Sequence, residues 1–305
     1  MQPLAQAQAA AVTVCVVVPH FKDEYWLSVG YGLTEEAQRR GARLLTYEAG
    51  GYLSLDRQIA LMEGCVERRA DAILLGAVSA DDPRLLDQIA AIAPRTPVIA
   101  LVNALDSPAL AGAVGVDWRD MGLAIGAALA RRHPAGSPPV RAALLSGPDS
   151  ARWAHLVEVG LDAGLKDSSV AITALRRADT GLREQLREVD GILREDGELD
   201  YLIGPAPAIE AAMGLIARGT DPTPPRLIAT YISHSVGRGL LSGQVEMVPY
   251  DDPVEQGRLG IGLALKAAAG GGPGRAGPAI RLIETGTPEV RSIRLSPAGF
   301  LPEIQ

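Results

Sequence analysis

Twelve aromatic residues occur in this chain of 305, and seven of them stand just after short apolar runs. Tyr25 and Trp26 sit side by side in VPHFKDEYWLSVGYGL, directly after VTVCVVV. Tyr52 follows the next run in YEAGGYLSLD, Trp118 follows AVGVD, and Trp153 follows LLSGPDSAR. Tyr231 ends LIATY and Tyr250 ends VEMVPY. Rings in such positions can do one kind of chemistry without a reactive group. Their faces attract alkylated ammonium groups through the ring quadrupole. Phenol hydroxyls and indole N–H groups can also donate to a small anionic oxygen. A methyl-rich, uncharged or zwitterionic ligand suits them better than a sugar, which would call for more Asn, Asp and Arg at the same places. Only Asn103, Asp117 and the pair Asp251-Asp252 qualify, with Arg152 near Trp153. Tyr31, Tyr47 and Tyr201 fall inside elements and read as core packing.

Reactive constellations are not apparent. The four histidines, His20, His133, His155 and His234, show no metal-ligand spacing with another His, Cys or carboxylate. VGYGLTEE contains Gly30 and Gly32, but Glu35 stands where a dinucleotide fingerprint needs glycine. GIGLALK fails in the same way at Leu265. No P-loop and no G-x-S-x-G elbow is present. Asp251 and Asp252 are adjacent, and neighbours at a strand end usually point apart. The expectation is a protein that is not an enzyme and uses neither cofactor nor metal.

The rings need elements that bring them together. Short β-branched runs alternate with helical patterns along most of the chain. VTVCVVV leads into a helix over about 25–40, where Leu27, Gly30, Leu33 and Ala37 share a face. Then come ARLLTYEA, a helix with Ile59, Met62 and Val66, ADAILLG, a helix over about 83–93, and PVIALV. After Trp118 a second series runs through helices over about 121–131, 151–165, 181–194 and 206–217, with VRAALLS, VAITALR, LDYLIG and RLIATYI. Runs at this spacing with intervening helices make right-handed βαβ units, hence parallel sheets covered on both faces. Two series predict an α/β protein of two doubly wound lobes. GGGPGRAGP, residues 270–278, reads as a flexible connector, and AIRLIE and VRSIRLS as closing strands.

Composition narrows the partners. Hydrophobic residues make up 47% and charged ones 21%, and the net charge of −7 argues against nucleic acid. No apolar run reaches the roughly 20 residues needed to cross a bilayer. MQPLAQAQAA, with small residues in an A-x-A pattern, reads as the cut end of a secretory signal or as a plain disordered N-terminus. Cys15 and Cys65 are the only cysteines. They form a disulfide in an oxidising compartment or serve as two small buried hydrophobes, and the sequence leaves both open.

The order of runs, together with VVPHFKDEYWLSVGYGL, YEAGGY, DAILLGAVS, SPALAGAVGVDWRDMG, LDYLIGPAPAIEAAMGLIAR, ATYISH and VPYDDPVEQGRLGI, resembles the type I periplasmic binding proteins related to ribose-binding protein. The likeness runs from about residue 12 to residue 265. Within that superfamily it is nearest to the periplasmic sensors of trimethylamine N-oxide respiration. The resemblance implies two lobes joined by hinge strands, with trimethylamine N-oxide held between them. It implies a periplasmic location and a partner in the sensor domain of a membrane histidine kinase. Its ligand contacts fall on Trp26, Tyr52, Trp118 and Tyr231, with Tyr25 beside them.

The lobes are then expected at 12–103 plus 244–275 and at 104–243 plus 278–305, after a disordered signal remnant at 1–11. Crossings are placed near 102–117, 243–246 and 271–280. The segment 244–275 should return to the first lobe. At least one of Asp251 and Asp252 should cap the helix that begins near Pro253. The loop 49–55 is the candidate for coupling to the kinase through exposed Leu53 and Leu55, unless both leucines pack on the following helix. The runner-up function is a substrate-binding protein of an ABC transporter for a sugar or another small solute. The effector domain of a LacI-type repressor shares the fold, but only eleven residues precede the first strand, too few for a helix-turn-helix.

Overall fold

The run TVCVVV forms β1 (Thr13–Val18), with five of its six residues buried. A strand in the middle of a parallel sheet is covered on both faces and so carries no polar alternation. The chain continues through α1 (Glu24–Arg40), β2 (Arg43–Glu48), α2 (Leu55–Glu67), β3 (Ala72–Leu75), α3 (Pro83–Ile92), β4 (Val98–Leu101) and β5 (Gly112–Val114). These strands pair in parallel in the order β5-β4-β3-β1-β2. The structure, a computed structural model, describes residues 11–195, 197–219 and 223–305. The expected signal remnant, apart from Ala11, lies outside the described residues.

A second unit repeats the plan. It consists of α4 (Trp118–Arg132), β6 (Val140–Ser146), α5 (Arg152–Leu165), β7 (Val170–Arg177), α6 (Leu182–Glu195), β8 (Tyr201–Gly204), α7 (Ala206–Arg218), β9 (Arg226–Ala229), α8 (His234–Ser242) and β10 (Val245–Tyr250). The strand order is β10-β9-β8-β6-β7. The chain then returns. Helix α9 (Pro253–Ala268) packs on α1, and β11 (Gly274–Ala276) extends the first sheet beside β5. Finally β12 (Arg281–Glu284) closes the second sheet, antiparallel to β10.

The structure corrects four expectations. First, β5 stays in the first sheet, so residues up to 114 belong with the first lobe and the crossing falls at 115–117. Second, β10 belongs to the second sheet, so the return comes at Asp251-Asp252 and not near 243–246. Gly243, at φ 79°, closes α8 in the left-handed region, which makes an ordinary helix-to-strand turn within one lobe. Third, the expected glycine-rich connector contains β11, and the third crossing shortens to 277–280. Residues 278–305 also do not stay together. After β12 and a 3-10 turn at Pro288–Ser292, the tail crosses back over the first lobe. There Ser296 N donates to Ser28 Oγ at 3.1 Å, Phe300 meets Tyr31 with centroids 5.4 Å apart, and Gln305 N donates to Thr46 O at 3.0 Å.

Asp252 caps α9 as expected, its Oδ1 accepting from Glu255 N at 3.1 Å, and it pairs with Arg294 of the tail. Helices α1 and α9 approach closely because neither carries a side chain at the contact. A Cβ on Gly32 would lie 2.0 Å from Val254 O, and one on Gly257 would lie 2.3 Å from Val29 O. That packing fixes α1, the helix that carries Tyr25 and Trp26.

Cys15 on β1 and Cys65 on α2 are joined in a disulfide, both fully buried. The bond closes a segment with a sequence separation of 50. Loop-closure entropy makes such a cross-link worth about 3–5 kcal/mol. The double variant Cys15→Ala/Cys65→Ala is therefore expected to lose stability of about that size in urea unfolding, and an unchanged midpoint would show that the bond adds nothing.

Candidate functional site

Six rings converge where the two sheets face each other. Each arrives from the carboxyl end of a strand, where parallel α/β sheets leave room for a ligand. After β1, Asp23 caps α1 by accepting from Tyr25 N at 3.0 Å, and this sets the first turn that presents Tyr25 and Trp26. After β2, Gly50 and Gly51 adopt φ of 108° and 152°, and Tyr52 follows them. From the second lobe, Asp117 caps α4 so that Trp118 is its first residue. Trp153 opens α5 after β6, and Tyr231 follows β9.

The rings form a connected set. Centroid separations are 5.3 Å for Tyr25–Tyr231, 5.3 Å for Trp118–Trp153 and 5.8 Å for Trp153–Tyr231. Trp118–Tyr231 and Tyr25–Trp26 are each at 6.1 Å, and Tyr52–Trp153 is at 6.3 Å. Several pairs meet edge to face, the arrangement the ring quadrupole favours. With Asp23, Val102 and Asn103 the rings enclose a small cavity. All six are at most 4% exposed, so this is a closed cleft. The rings merge the inner cores of the two lobes into one apolar cluster.

Polar groups of the cage are largely paired. Tyr231 donates its hydroxyl to Asp23 Oδ2 at 2.5 Å, across the lobes. Tyr25 donates to Asp251 Oδ2 at 2.7 Å and accepts from Gln256 Nε2 at 3.0 Å. Asn103 Nδ2 donates to Tyr52 Oη at 3.1 Å and to Ala77 O at 2.8 Å, and Trp118 Nε1 donates to Val102 O at 3.1 Å. Burial pushes Asp23 up to about 6, and the hydrogen bonds from Tyr231 and from Tyr25 N hold it from rising further. Burial likewise raises Asp251 to about 6. The Tyr25, Tyr52 and Tyr231 phenols are pushed up by burial and remain neutral donors.

Further contacts close the lips. Ser235 N and Oγ, at the start of α8, donate to Glu24 Oε2 at 2.8 and 2.9 Å. Tyr52 N donates to Asp179 Oδ2 at 3.2 Å, and Arg152 pairs with Asp106. His20 Nε2 lies 3.1 Å from Thr180 Oγ1 and 3.4 Å from Asp179 Oδ1. Both partners face one ring nitrogen and Nδ1 has none among the described residues, so these groups are not arranged as a nucleophile–base–orienter relay.

The structure thus brings together all five residues singled out from the sequence, Tyr25, Trp26, Tyr52, Trp118 and Tyr231. It adds Trp153, a strand-end ring that the resemblance did not cover, and Asp23. An aspartate just before a helix is a readable cap signal, but nothing in one sequence says that its second oxygen faces a cleft. Tyr250 turns elsewhere, accepting from Arg294 N at 3.0 Å. Asp251 and Asp252 do not line the cavity. Leu53 is 85% exposed, whereas Leu55 packs at the start of α2.

Comparison with known proteins agrees with this architecture. A family model described as "Periplasmic binding protein domain" matches residues 14–272. The periplasmic protein TorT of Escherichia coli (strain K12) is 36% identical over 293 residues, covering 95% of this chain and 83% of that protein. A crystal structure of the TorS sensor domain–TorT complex in the presence of TMAO matches with TM-score 0.85 and 35% identity, over 96% of this chain and 100% of that one. An ABC transporter solute binding protein from Bradyrhizobium sp. BTAi1 with bound Bis-Tris matches with TM-score 0.80 and 34% identity, over 97% and 90%. Two hinged α/β lobes closed on a ring-lined cleft, and a family match spanning most of the chain, lead to one conclusion: this chain belongs to the periplasmic binding protein family.

Proposed function

We propose that the protein is a periplasmic, non-catalytic receptor that binds trimethylamine N-oxide, or a close methylated analogue, in the ring cage. In this reading the closed form is presented to the periplasmic sensor domain of a membrane histidine kinase. The observation that carries it is the make-up of the cage wall. Six of its nine lining residues are aromatic, none is cationic, and one is a buried carboxyl. Ring faces favour a methylated nitrogen that no hydrogen bond can hold. A sugar of several hydroxyls would leave most of them without partners here, because most of the wall's donors and acceptors are already engaged. The relatives support the assignment, since TorT is known in complex with the TorS sensor domain in the presence of TMAO. The second reading, a transport receptor, has its support in the Bradyrhizobium relative.

Asp23 gives the cage a sign. At neutral pH the ionised carboxylate faces the ring-lined space, where a positive nitrogen offsets its burial. Its partners are Tyr25 and Tyr231, whereas Asn103 pairs with Tyr52 nearer Trp153. The cage is therefore polarised, as a zwitterion with a positive nitrogen and a negative oxygen requires.

Four outcomes test this reading. Calorimetric titration should show binding of trimethylamine N-oxide and none of ribose. Trp118→Leu keeps apolar area but removes a quadrupole, and should weaken binding by about 1–2 kcal/mol. Undiminished affinity in that variant would move the ligand elsewhere. Asp23 should also leave a mark on stability. Its pKa is about 6 when folded against 3.8 for the free group, so the folded state holds an extra proton between those values. Stability from this group is therefore lost as pH rises from about 4 through 6, on the order of 3 kcal/mol in all. The stability difference between the parent and Asp23→Asn should fall by that amount across the window in denaturant titrations, and a flat difference would refute the assignment. For the partner, Leu53→Asp is expected to weaken binding of the kinase sensor domain with ligand affinity unchanged. Equal binding would remove this loop from the interface.

A further inference from the structure

Donors in the cage can be counted one by one. The Trp118 N–H is spent on Val102 O, the Tyr231 hydroxyl on Asp23, the Tyr25 hydroxyl on Asp251, and the Asn103 amide on Ala77 O and Tyr52 Oη. Trp153 is different. Its side chain is buried at 4% exposure, and its Nε1 has no hydrogen-bond partner among the described residues. That N–H faces the Tyr52 oxygen without reaching hydrogen-bonding geometry, and the Trp26 N–H of the first lobe is directed at the same oxygen. The Tyr52 hydroxyl accepts from Asn103 and has no acceptor of its own among the described residues. The Trp153 N–H and the Tyr52 hydroxyl, one from each lobe, therefore sit unspent at the same end of the cavity.

A buried indole N–H left unpaired is costly and uncommon in native proteins. Such a group inside a ligand cavity is explained when the ligand supplies the acceptor. Resting on the cage reading above, we propose that Trp153 Nε1–H, with the Tyr52 hydroxyl beside it, receives the negatively charged oxygen of the ligand. Trp153 is then the residue that separates an N-oxide from a quaternary ammonium ion of the same shape. The methyl groups meet ring faces in either case, so the rings alone cannot make that distinction. Because Trp153 and Tyr52 come from different lobes, one oxygen atom also ties the lobes together.

The test uses two probes, trimethylamine N-oxide and tetramethylammonium, which differ in whether an acceptor oxygen is present. Trp153→Phe keeps a ring and removes the N–H. Hydrogen bonds to charged acceptors are worth roughly tenfold to a hundredfold in affinity, so the variant should lose about that much for the N-oxide. Its affinity for tetramethylammonium should change less than about threefold, because ring contacts with methyl groups remain. Equal losses for both probes, or no loss for the N-oxide, would overturn the proposal while leaving the cage reading intact. A parent protein that binds neither probe would overturn both. Should the variant fold poorly, the parent still decides. The Trp153 indole N–H resonance is expected to move downfield with trimethylamine N-oxide and not with tetramethylammonium, and the same position with both would refute the assignment.

Discussion

Asp23 serves two masters that belong to different lobes. One carboxyl oxygen caps α1, and the other accepts the Tyr231 hydroxyl at 2.5 Å. With the lobes apart, water would solvate that second oxygen. With the lobes together, Tyr231 takes the place of water, and burial drives the pKa to about 6. Closure therefore exchanges hydration of a carboxylate for one strong hydrogen bond and a ring-lined cavity. The balance is close, since a buried charge with a single good partner gains little over the same charge in water. A positive nitrogen inside the cavity, as in the proposed ligand, would tip it. The rest of the architecture serves to make this exchange reproducible.

Reproducibility rests on rigid supports behind the cage. Helix α1 carries Asp23 at its cap and two rings in its first turn, and it cannot slide because Gly32 and Gly257 let α9 meet it backbone to backbone. The Cys15–Cys65 bond ties the strand before α1 to α2, the helix after the Tyr52 loop. The tail adds a clasp. Ser296 is held by Ser28 of the first lobe, while its carbonyl lies 2.8 Å from His234 Nε2 of the second. Rigid lobes with few crossings confine motion to the hinges, the arrangement of hinge-type domain closure.

Much of this was legible in the residues. Runs such as VTVCVVV and DAILLG announce parallel strands because burial on both faces removes polar alternation, and the helices between them follow from periodicity. The ring positions were legible too, since scarce aromatics after strand ends have one obvious destination in such a sheet. What failed was membership. The run VEMVPY reads as a strand in either lobe, and only its pairing with β9 and β12 assigns it. GRA in GGGPGRAGP has no strand signal at all, and its conformation comes from the edge of β5. Trp153 illustrates a different limit: its ring position was readable, but the missing partner of its N–H is a fact of three-dimensional geometry.

The contacts between the lobes suggest why such a protein suits reporting. Away from the rings they are polar: Ser235 with Glu24, Tyr52 N with Asp179, His20 beside Thr180, Arg152 with Asp106. Polar contacts of this kind lose hydration nearly in proportion to what they gain. They give the closed form its geometry while adding little to its population. A broad apolar seam would hold the lobes shut whether or not a ligand was present. Occupancy is reported only to the extent that the ligand prefers the closed form over the open one. A cage completed by both lobes supplies that preference, and the polar lips leave the decision to it.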